Sequence, residues 1–446
     1  MNILLVGNGA REHAIADALC RNPGAVLYAY MGAKNPGIAE LCLKSGGEFL
    51  IGDIYQGRAI AEWALERGIR LAVCGPDAVL EAGVVDELEA EMIPCASPCK
   101  EAARLEWDKT FTRNLMKKYA IPGCPKFGNF TDADEAGKFI DQLKGEVAVK
   151  PAGLTGGKGV KVVGFQLKDA NEAKDYAKEV LASNIGKLGS VVIEEKLSGE
   201  EFTLQAFVDG KNVFGMPMVQ DHKRLGEGDV GVNTGGMGSY SIGKVLPFFK
   251  PEVYDEAIAI MKKTVAAFEK ETGKQFKGVL YGQFMMGKTL EVIEFNSRFG
   301  DPEAMNVLSL LTSDFVEICK KIASGNLKQS DVRFDEGKAS VVKYLVPQGY
   351  PEKPMKNQKL EIDAKGIAAL GAKLFYASVD ERDGSVYTGS SRAIGVLAVA
   401  ERIETAEQIA EKACLLVKGP VAHRKDIGTR QLLQRRIDNM KRFGNA

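Results

Sequence analysis

Glu294-Phe295-Asn296-Ser297-Arg298-Phe299-Gly300-Asp301-Pro302-Glu303 follows an apolar run at 290–293. It reads as the end of a strand opening into a tight turn. Residues two apart on a strand share a face, which sets Glu294 beside Asn296 with Phe295 behind them. An anionic oxygen next to a neutral amide oxygen suits a hard divalent cation that keeps waters and bridges phosphates. Gln283, one expected strand away, would be a third oxygen donor and is equally readable as a structural amide. Arg298, one step further along that face, matches a carboxylate or phosphate with a forked donor. Asp301, Pro302 and Glu303 complete the turn and are further candidate substrate contacts. Alone, the decapeptide is as well explained by a polar strand end before a Gly-Asp-Pro turn.

A second stretch, Val147-Ala148-Val149-Lys150-Pro151-Ala152-Gly153-Leu154-Thr155-Gly156-Gly157-Lys158-Gly159-Val160, runs strand, glycine-rich loop, strand. Glycines such as Gly156 and Gly157 let backbone amides approach and wrap an anion. Lys150 and Lys158 add point charges on either side. The loop lacks the Ser or Thr after its lysine and the following helix that mark a P-loop. It predicts a flap that folds over a triphosphate. Taken alone it is an ordinary glycine hairpin; beside a downstream Glu/Asn pair, the phosphate reading is the stronger one.

At 446 residues the chain exceeds one hydrophobic core and predicts several units. Basic and acidic residues balance at 59 each, which argues against general binding to nucleic acid or anionic membranes. No apolar run reaches the length of a membrane span, and the N-terminus enters a strand directly. The eight cysteines are scattered, among them Cys20, Cys74 and Cys319, and read as buried thiols in a reducing cytoplasm. With three histidines, a histidine-rich metal site is excluded.

Residues 1–103 alternate strands (3–6, 26–30, 71–74, 93–96) with helices (12–20, 58–67, 79–91), predicting a doubly wound parallel sheet. Gly7-Asn8-Gly9-Ala10-Arg11-Glu12-His13 leaves the first strand like a dinucleotide fingerprint, but Glu12 stands where the third glycine belongs. The helix start could still hold a phosphate through backbone amides. Gly9, Arg11, Glu12 and His13 are therefore candidates, with Gly75-Pro76-Asp77 on the same expected sheet edge. Residues 104–200 predict a small α+β lobe: helices at 108–119, 132–143 and 169–182, strands near 126–130 and 191–195, and the flap. Glu194-Glu195-Lys196-Leu197 closes it as a hinge whose backbone could read an adenine edge, with Glu201 placed for ribose hydroxyls. Residues 201–328 favour strands at 203–208, 213–219, 279–286 and 290–295, covered by helices at 252–270 and 313–324. Between them, Asp221 and the run Asn233-Thr234-Gly235-Gly236 lie in a charged, glycine-rich stretch expected to be an irregular loop closing on a polar substrate. Residues 329–446 predict strands at 339–346, 373–378 and 394–400, a helix at 406–417 and a basic terminal helix.

These motifs, in this order and with Gln220-Asp221-His222-Lys223-Arg224 and Arg424-Lys425-Asp426-Ile427-Gly428, resemble the phosphoribosylamine–glycine ligase (glycinamide ribonucleotide synthetase) family of the ATP-grasp superfamily over the whole chain. The resemblance implies α/β and α+β units: a Rossmann-like N-terminal domain, a two-lobe ATP-grasp core and a small C-terminal α+β domain. It implies that ATP, glycine and 5-phosphoribosylamine give ADP, phosphate and glycinamide ribonucleotide in purine biosynthesis. It implies magnesium or manganese at Glu294 and Asn296, phosphate contacts from Lys109 and Lys150, and an adenine hinge at Glu195 and Leu197. A monomer or weak dimer is expected. Where family members commonly carry Lys-Ala-Asp-Gly and Ser-Gly-Gly-Arg, this chain has Lys150-Pro151-Ala152-Gly153 and Gly389-Ser390-Ser391-Arg392. Three other classes fit parts of the pattern. A different ATP-grasp ligase would share the flap and the Glu/Asn pair, a nicotinamide oxidoreductase the first turn, and a non-catalytic nucleotide-binding module the flap.

Overall fold

Asn2–Val6, Val26–Met31 and Leu71–Cys74 are near-continuous apolar runs, the pattern of strands covered on both faces. A computed structural model, which describes residues 1–156 and 159–444, pairs them in parallel and adds a short edge strand, Phe49–Ile51, beside Val26–Met31. Helices Ala10–Cys20 and Gly57–Glu66 alternate with them as expected, and Pro36–Lys44 is a further helix outside the expected set. Two more details differ. Residues 93–96 contribute one parallel bridge, Cys95 to Ala72, because Pro94 has no amide to donate to a ladder. The expected helix at 79–91 is two helices, Asp77–Ala82 and Val84–Ala90, meeting at Gly83 with φ 86°.

The small lobe is an antiparallel sheet in the order Phe127–Phe130, Val191–Glu195, Val147–Pro151, Lys161–Val162. Its helices Ala133–Gln142 and Ala170–Ala182, capped by Asp132 and Asp169, share one apolar cluster with it. The flap leaves Val147–Pro151 and returns along Lys161–Val162, as the sequence predicts.

A second antiparallel sheet runs Val213–Gly215, Glu200–Asp209, Lys277–Met286, Leu290–Asn296. Its outer strand is shorter than expected, ending before Pro217. In its register Gln283 sits opposite Glu294 and Tyr281 opposite Asn296, so these four side chains share one face. Helices Pro251–Thr272 and Phe315–Ser324 pack on the sheet.

The stretch expected as an irregular loop has regular structure. Arg224–Gly226 and Val230–Asn233 form a hairpin, while Gln220–Asp221 and Gly238–Ile242 pair with each other. Gly238–Ile242 then joins Ala339–Pro347, Ile394–Ala400 and Ala372–Tyr376 in one sheet that runs across residue 328. A small sheet of Val379–Arg382, Ser385–Thr388, Lys359–Ile362 and Val417–Lys418 completes the C-terminal part, and Thr429 caps the terminal helix Arg430–Arg442. No helix among the described residues is long and apolar enough to cross a membrane. All eight cysteines are free.

Candidate active site

The two antiparallel sheets face each other across a cavity of about 850 Å³, closed at one end by Arg11 and Asp77 of the N-terminal region. Its floor is the face of the second sheet that carries Gln283, Glu294 and Asn296, with Phe295 buried behind. Glu294 is the telling residue. Among the described residues its carboxylate has no hydrogen-bond or ion-pair partner. Burial would raise its pKa, yet Lys223, Lys109, Lys150 and Arg298 together hold it below the ordinary glutamate value. Beside it the Gln283 amide oxygen is buried and unpartnered, while its nitrogen donates to Glu201. Asn296 accepts a long bond from Arg298 Nη2 at 3.3 Å. An ionised carboxylate, an orphaned amide oxygen and a second amide oxygen on one face fit a divalent cation. Among the described residues there is no group of three or more His, Cys, Asp or Glu side chains that could hold a metal, so a cation here would rely on amides and on waters or phosphates.

Four cations surround this floor. Lys109 Nζ reaches the Gly153 carbonyl at 3.1 Å; burial, and Lys150 nearby, lower its pKa despite Glu294. Lys150 Nζ bonds the Ile293 carbonyl at 3.0 Å and Glu194 at 2.7 Å. Lys223 pairs with Glu201 at 3.1 Å, and against the cost of burial Glu201, Glu294 and Asp221 raise its pKa. Arg298 is held by Glu106 at 2.7 Å and by the Phe299 carbonyl at 3.1 Å, with its buried Nε unpartnered. Glu106, on the short helix Arg104–Trp107, also accepts from the Ser297 amide at 2.8 Å. Burial pushes its pKa up to about 7, Asp77 adding to this and Arg298 opposing it.

At the hinge, the Glu194 side chain turns inward between Arg113 and Lys150. The amides of Glu195 and Lys196 are bonded to the carbonyls of Lys126 and Glu146. The Leu197 amide has no partner among the described residues. Ala148, Val162, Met285 and Ile293 supply apolar walls nearby. That slot suits a flat base.

At the other end stand Asp221, Asn233, Gly235, Asp301 and Glu303. Burial, and then the charge of Glu303, raise the pKa of Asp221 well above its usual value, and burial also raises Glu303; such a carboxyl pair attracts an ammonium group. Gly236 lies just behind. With φ 110°, a Cβ there would stand 2.6 Å from the Asp221 carboxylate, so only glycine lets the loop close this tightly. Pro302 also sits off the wall, 2.8 Å from the same hypothetical Cβ.

The first turn of the N-terminal helix is arranged differently from the sequence expectation. Glu12 folds back so that its Oε2 accepts the Gly9 amide at 2.7 Å and its Oε1 meets Arg11 Nε at 2.6 Å. A Cβ at Gly75 would lie 2.2 Å from Glu12 Oε1, and one at Gly7 2.7 Å from Glu12 Cγ and 2.8 Å from Pro76. The glycines therefore make room for a buried carboxylate. Gly9, Glu12, Gly75 and Pro76 do not line the cavity, and Arg11 alone of this turn reaches it. His13 joins this helix to the C-terminal sheet: its Nδ1 accepts the Tyr376 amide at 3.0 Å, and burial lowers its pKa to about 4.

Of the residues singled out in the sequence, Lys109, Lys150, Gly156, Glu194, Glu195, Leu197, Glu201, Asp221, Asn233, Gly235, Gln283, Glu294, Asn296, Arg298, Asp301, Glu303 and Arg11 line this one cavity. Gly157 and Lys158 lie outside the described residues. Glu106, Lys223, Arg392, Arg436 and Asn439 line it too without having been singled out. Lys223 and Arg392 stand within motifs already noted; Glu106, Arg436 and Asn439 reach in from distant segments that carry no local signal.

The phosphoribosylglycinamide synthetase family model matches in three parts: its N domain at residues 1–106, its ATP-grasp domain at 107–304 and its C domain at 340–430. The chain is 51% identical to a phosphoribosylamine–glycine ligase of Methanosarcina barkeri, over 99% of each sequence. It is 48% identical to one of Methanobrevibacter smithii, over the full length of both. A crystal structure of the Thermotoga maritima phosphoribosylamine–glycine ligase superposes with a TM-score of 0.79 at 28% identity, over 96% of this chain and 100% of that one.

Proposed function

The chain belongs to the phosphoribosylglycinamide synthetase family, and on that footing we propose how its own residues carry out the ligation. It is an ATP-dependent ligase that joins glycine to phosphoribosylamine in purine biosynthesis. A carboxylate does not acylate an amine in water without activation. The glycine carboxylate oxygen attacks the γ-phosphorus and ADP leaves, giving glycyl phosphate. The sugar amine then attacks the acyl carbon, inorganic phosphate leaves, and the new amide nitrogen gives up a proton. Phosphoryl transfer of this kind depends mainly on alignment and charge neutralisation.

The observation that carries the site assignment is the ionised, unpartnered Glu294 on one face with Asn296 and the orphaned Gln283 oxygen. These three would hold magnesium or manganese, which would supply the positive charge that offsets the negative charge of the phosphates. Lys109 and Lys150 neutralise the triphosphate, and the flap around Gly156 covers it. The Leu197 amide, with the Glu195 backbone, reads the adenine edge, and Glu201 takes the ribose hydroxyls. Arg298 aims its free Nε at a carboxylate, while Asp221 and Glu303 hold an amino group. Closing the flap excludes water, to which an acyl phosphate is vulnerable. We also propose four units meeting near residues 103, 200 and 328, and a cytoplasmic monomer or weak dimer that requires neither nucleic acid nor membrane. The test is ADP formation with each substrate omitted in turn. Release that needs glycine and phosphoribosylamine together supports the reading, and release with another carboxylate or amine in their place overturns it.

A further inference from the structure

The terminal helix Arg430–Arg442 has all but its first residue past the last position matched by the family model. Yet Arg436, Asn439 and, just beyond it, Phe443 line the large cavity at the hinge end, beside Leu197 and Ser198. Asn439 Nδ2 donates to Glu200 Oε1 at 2.6 Å. Arg436 Nη1 stands 3.3 Å from Glu200 Oε2, and its Nη2 pairs with Asp229. The Arg436 Nε is buried without a partner. Glu200 opens the strand Glu200–Asp209, and successive strand residues face opposite ways. Its neighbour Glu201 therefore turns from the helix toward Lys223 and Gln283.

We propose that this helix is the outer wall of the nucleoside end of the site, and that Asn439 and Arg436, by fixing Glu200, are positioning residues that aim Glu201 at the ribose. The proposal rests on the reading of this cavity as the ATP site. Its physical content is simple. The ladder to Lys277–Met286 holds the backbone at Glu200 and Glu201, and the helix holds the Glu200 side chain on one face, which leaves the other face to the ligand. The helix presents Leu432 and Met440 to the core, so it is seated independently of those polar contacts. Phe443 supplies an apolar edge to the same cavity.

The experiment compares wild type with Asn439→Ala and Phe443→Ala. Nucleotide affinity is measured with a fluorescent ADP analogue, and KM is determined for ATP, 2′-deoxy-ATP, glycine and phosphoribosylamine. Losing one hydrogen bond to a charged group predicts about a tenfold rise in KM for ATP with Asn439→Ala. KM for glycine and phosphoribosylamine stays unchanged, and the preference for ATP over the 2′-deoxy form shrinks. Phe443→Ala weakens both nucleotides equally. Unchanged ATP affinity in both variants overturns the proposal. So does an equal loss for all substrates with a lowered melting temperature, which marks a structural prop. Because the fluorescent analogue reports binding without turnover, a wild type that binds it but forms no ADP defeats the ligase reading and leaves the affinity comparison between wild type and the two variants as the test of this proposal.

Discussion

Arg113 grips Glu194 with its guanidinium fork, Nε to Oε1 at 2.6 Å and Nη2 to Oε2 at 2.9 Å, with both side chains buried. The same Nη2 donates to the carbonyls of Val292 and Ile293, next to Glu294, at 2.9 and 2.8 Å. One arginine thus ties the helix Lys109–Lys118, the hinge strand and the metal-face strand together. Arg113→Met would leave Glu194 with Lys150 alone, and would leave the Ile293 carbonyl only its bond from Lys150. The expected loss is about 3–5 kcal/mol in urea unfolding; a loss under about 1 kcal/mol, the range of an exposed pair, would refute the clamp.

The same pair sets an acid limit. Burial alone would raise the Glu194 pKa, but Arg113 and then Lys150 bring it to about 2, against 4.5 for a free glutamate. Its contribution to stability is complete above pH 4.5 and disappears as pH falls toward 2. Unfolding measured between those values should steepen in the wild type and flatten in Glu194→Gln. Parallel profiles would show that the pair does not set the slope.

Glu294→Gln removes the one ionised oxygen donor of the floor and keeps its shape. Turnover should fall by about 10²–10³, the cost of deleting one preorganised electrostatic group, with circular dichroism unchanged. Near-normal turnover would exclude Glu294 from phosphate chemistry.

How far such side chains could be read without the fold depends on where their partners lie. Glu294 and Asn296 were legible because strand alternation is local, and the flap because its glycines fall between two β-rich runs. Gln283 was ambiguous, since only the register against Glu294 decides that its oxygen faces the floor. Arg392 fell in a motif, but nothing local tied it to the cavity: its partners Gly235 and Gly236 are 157 and 156 residues away. The hairpin at 224–233 and the small C-terminal sheet have strands of two to four residues, too short for periodicity to register. Glu12 looked like a defect in a fingerprint; only its contacts with Gly9 and Arg11 reveal a filled site.

That filled site gives a stability prediction. A Cβ at Gly75 would lie 2.2 Å from Glu12 Oε1 and 2.6 Å from its Cγ, and the Glu12 side chain is buried and cannot swing clear without abandoning Arg11. Gly75→Ala should therefore destabilise by about 1–3 kcal/mol in thermal unfolding. The double variant with Glu12→Ala should recover part of that loss. If Gly75→Ala is neutral, the close packing does not constrain this turn.

Arg392 offers the sharpest test of the substrate end. Its Nη1 meets the carbonyls of Gly235, Gly236 and Asp301 at 2.7, 3.0 and 3.0 Å, and its Nη2 lies 3.3 Å from the Asp301 carboxylate. The guanidinium also stacks on Tyr344, 4.3 Å from the ring centroid. A lysine keeps the charge but can neither stack flat nor fork. If the charge alone mattered, Arg392→Lys would be silent. If the planar fork holds the loop against Asp221, the variant should lose about tenfold or more in kcat/KM for glycine and phosphoribosylamine, about 1.4 kcal/mol of transition-state stabilisation. ATP affinity should be spared, because the hinge lies at the opposite end of the cavity. An equal loss in ATP affinity would instead mean that Arg392 supports the whole cavity rather than its substrate end.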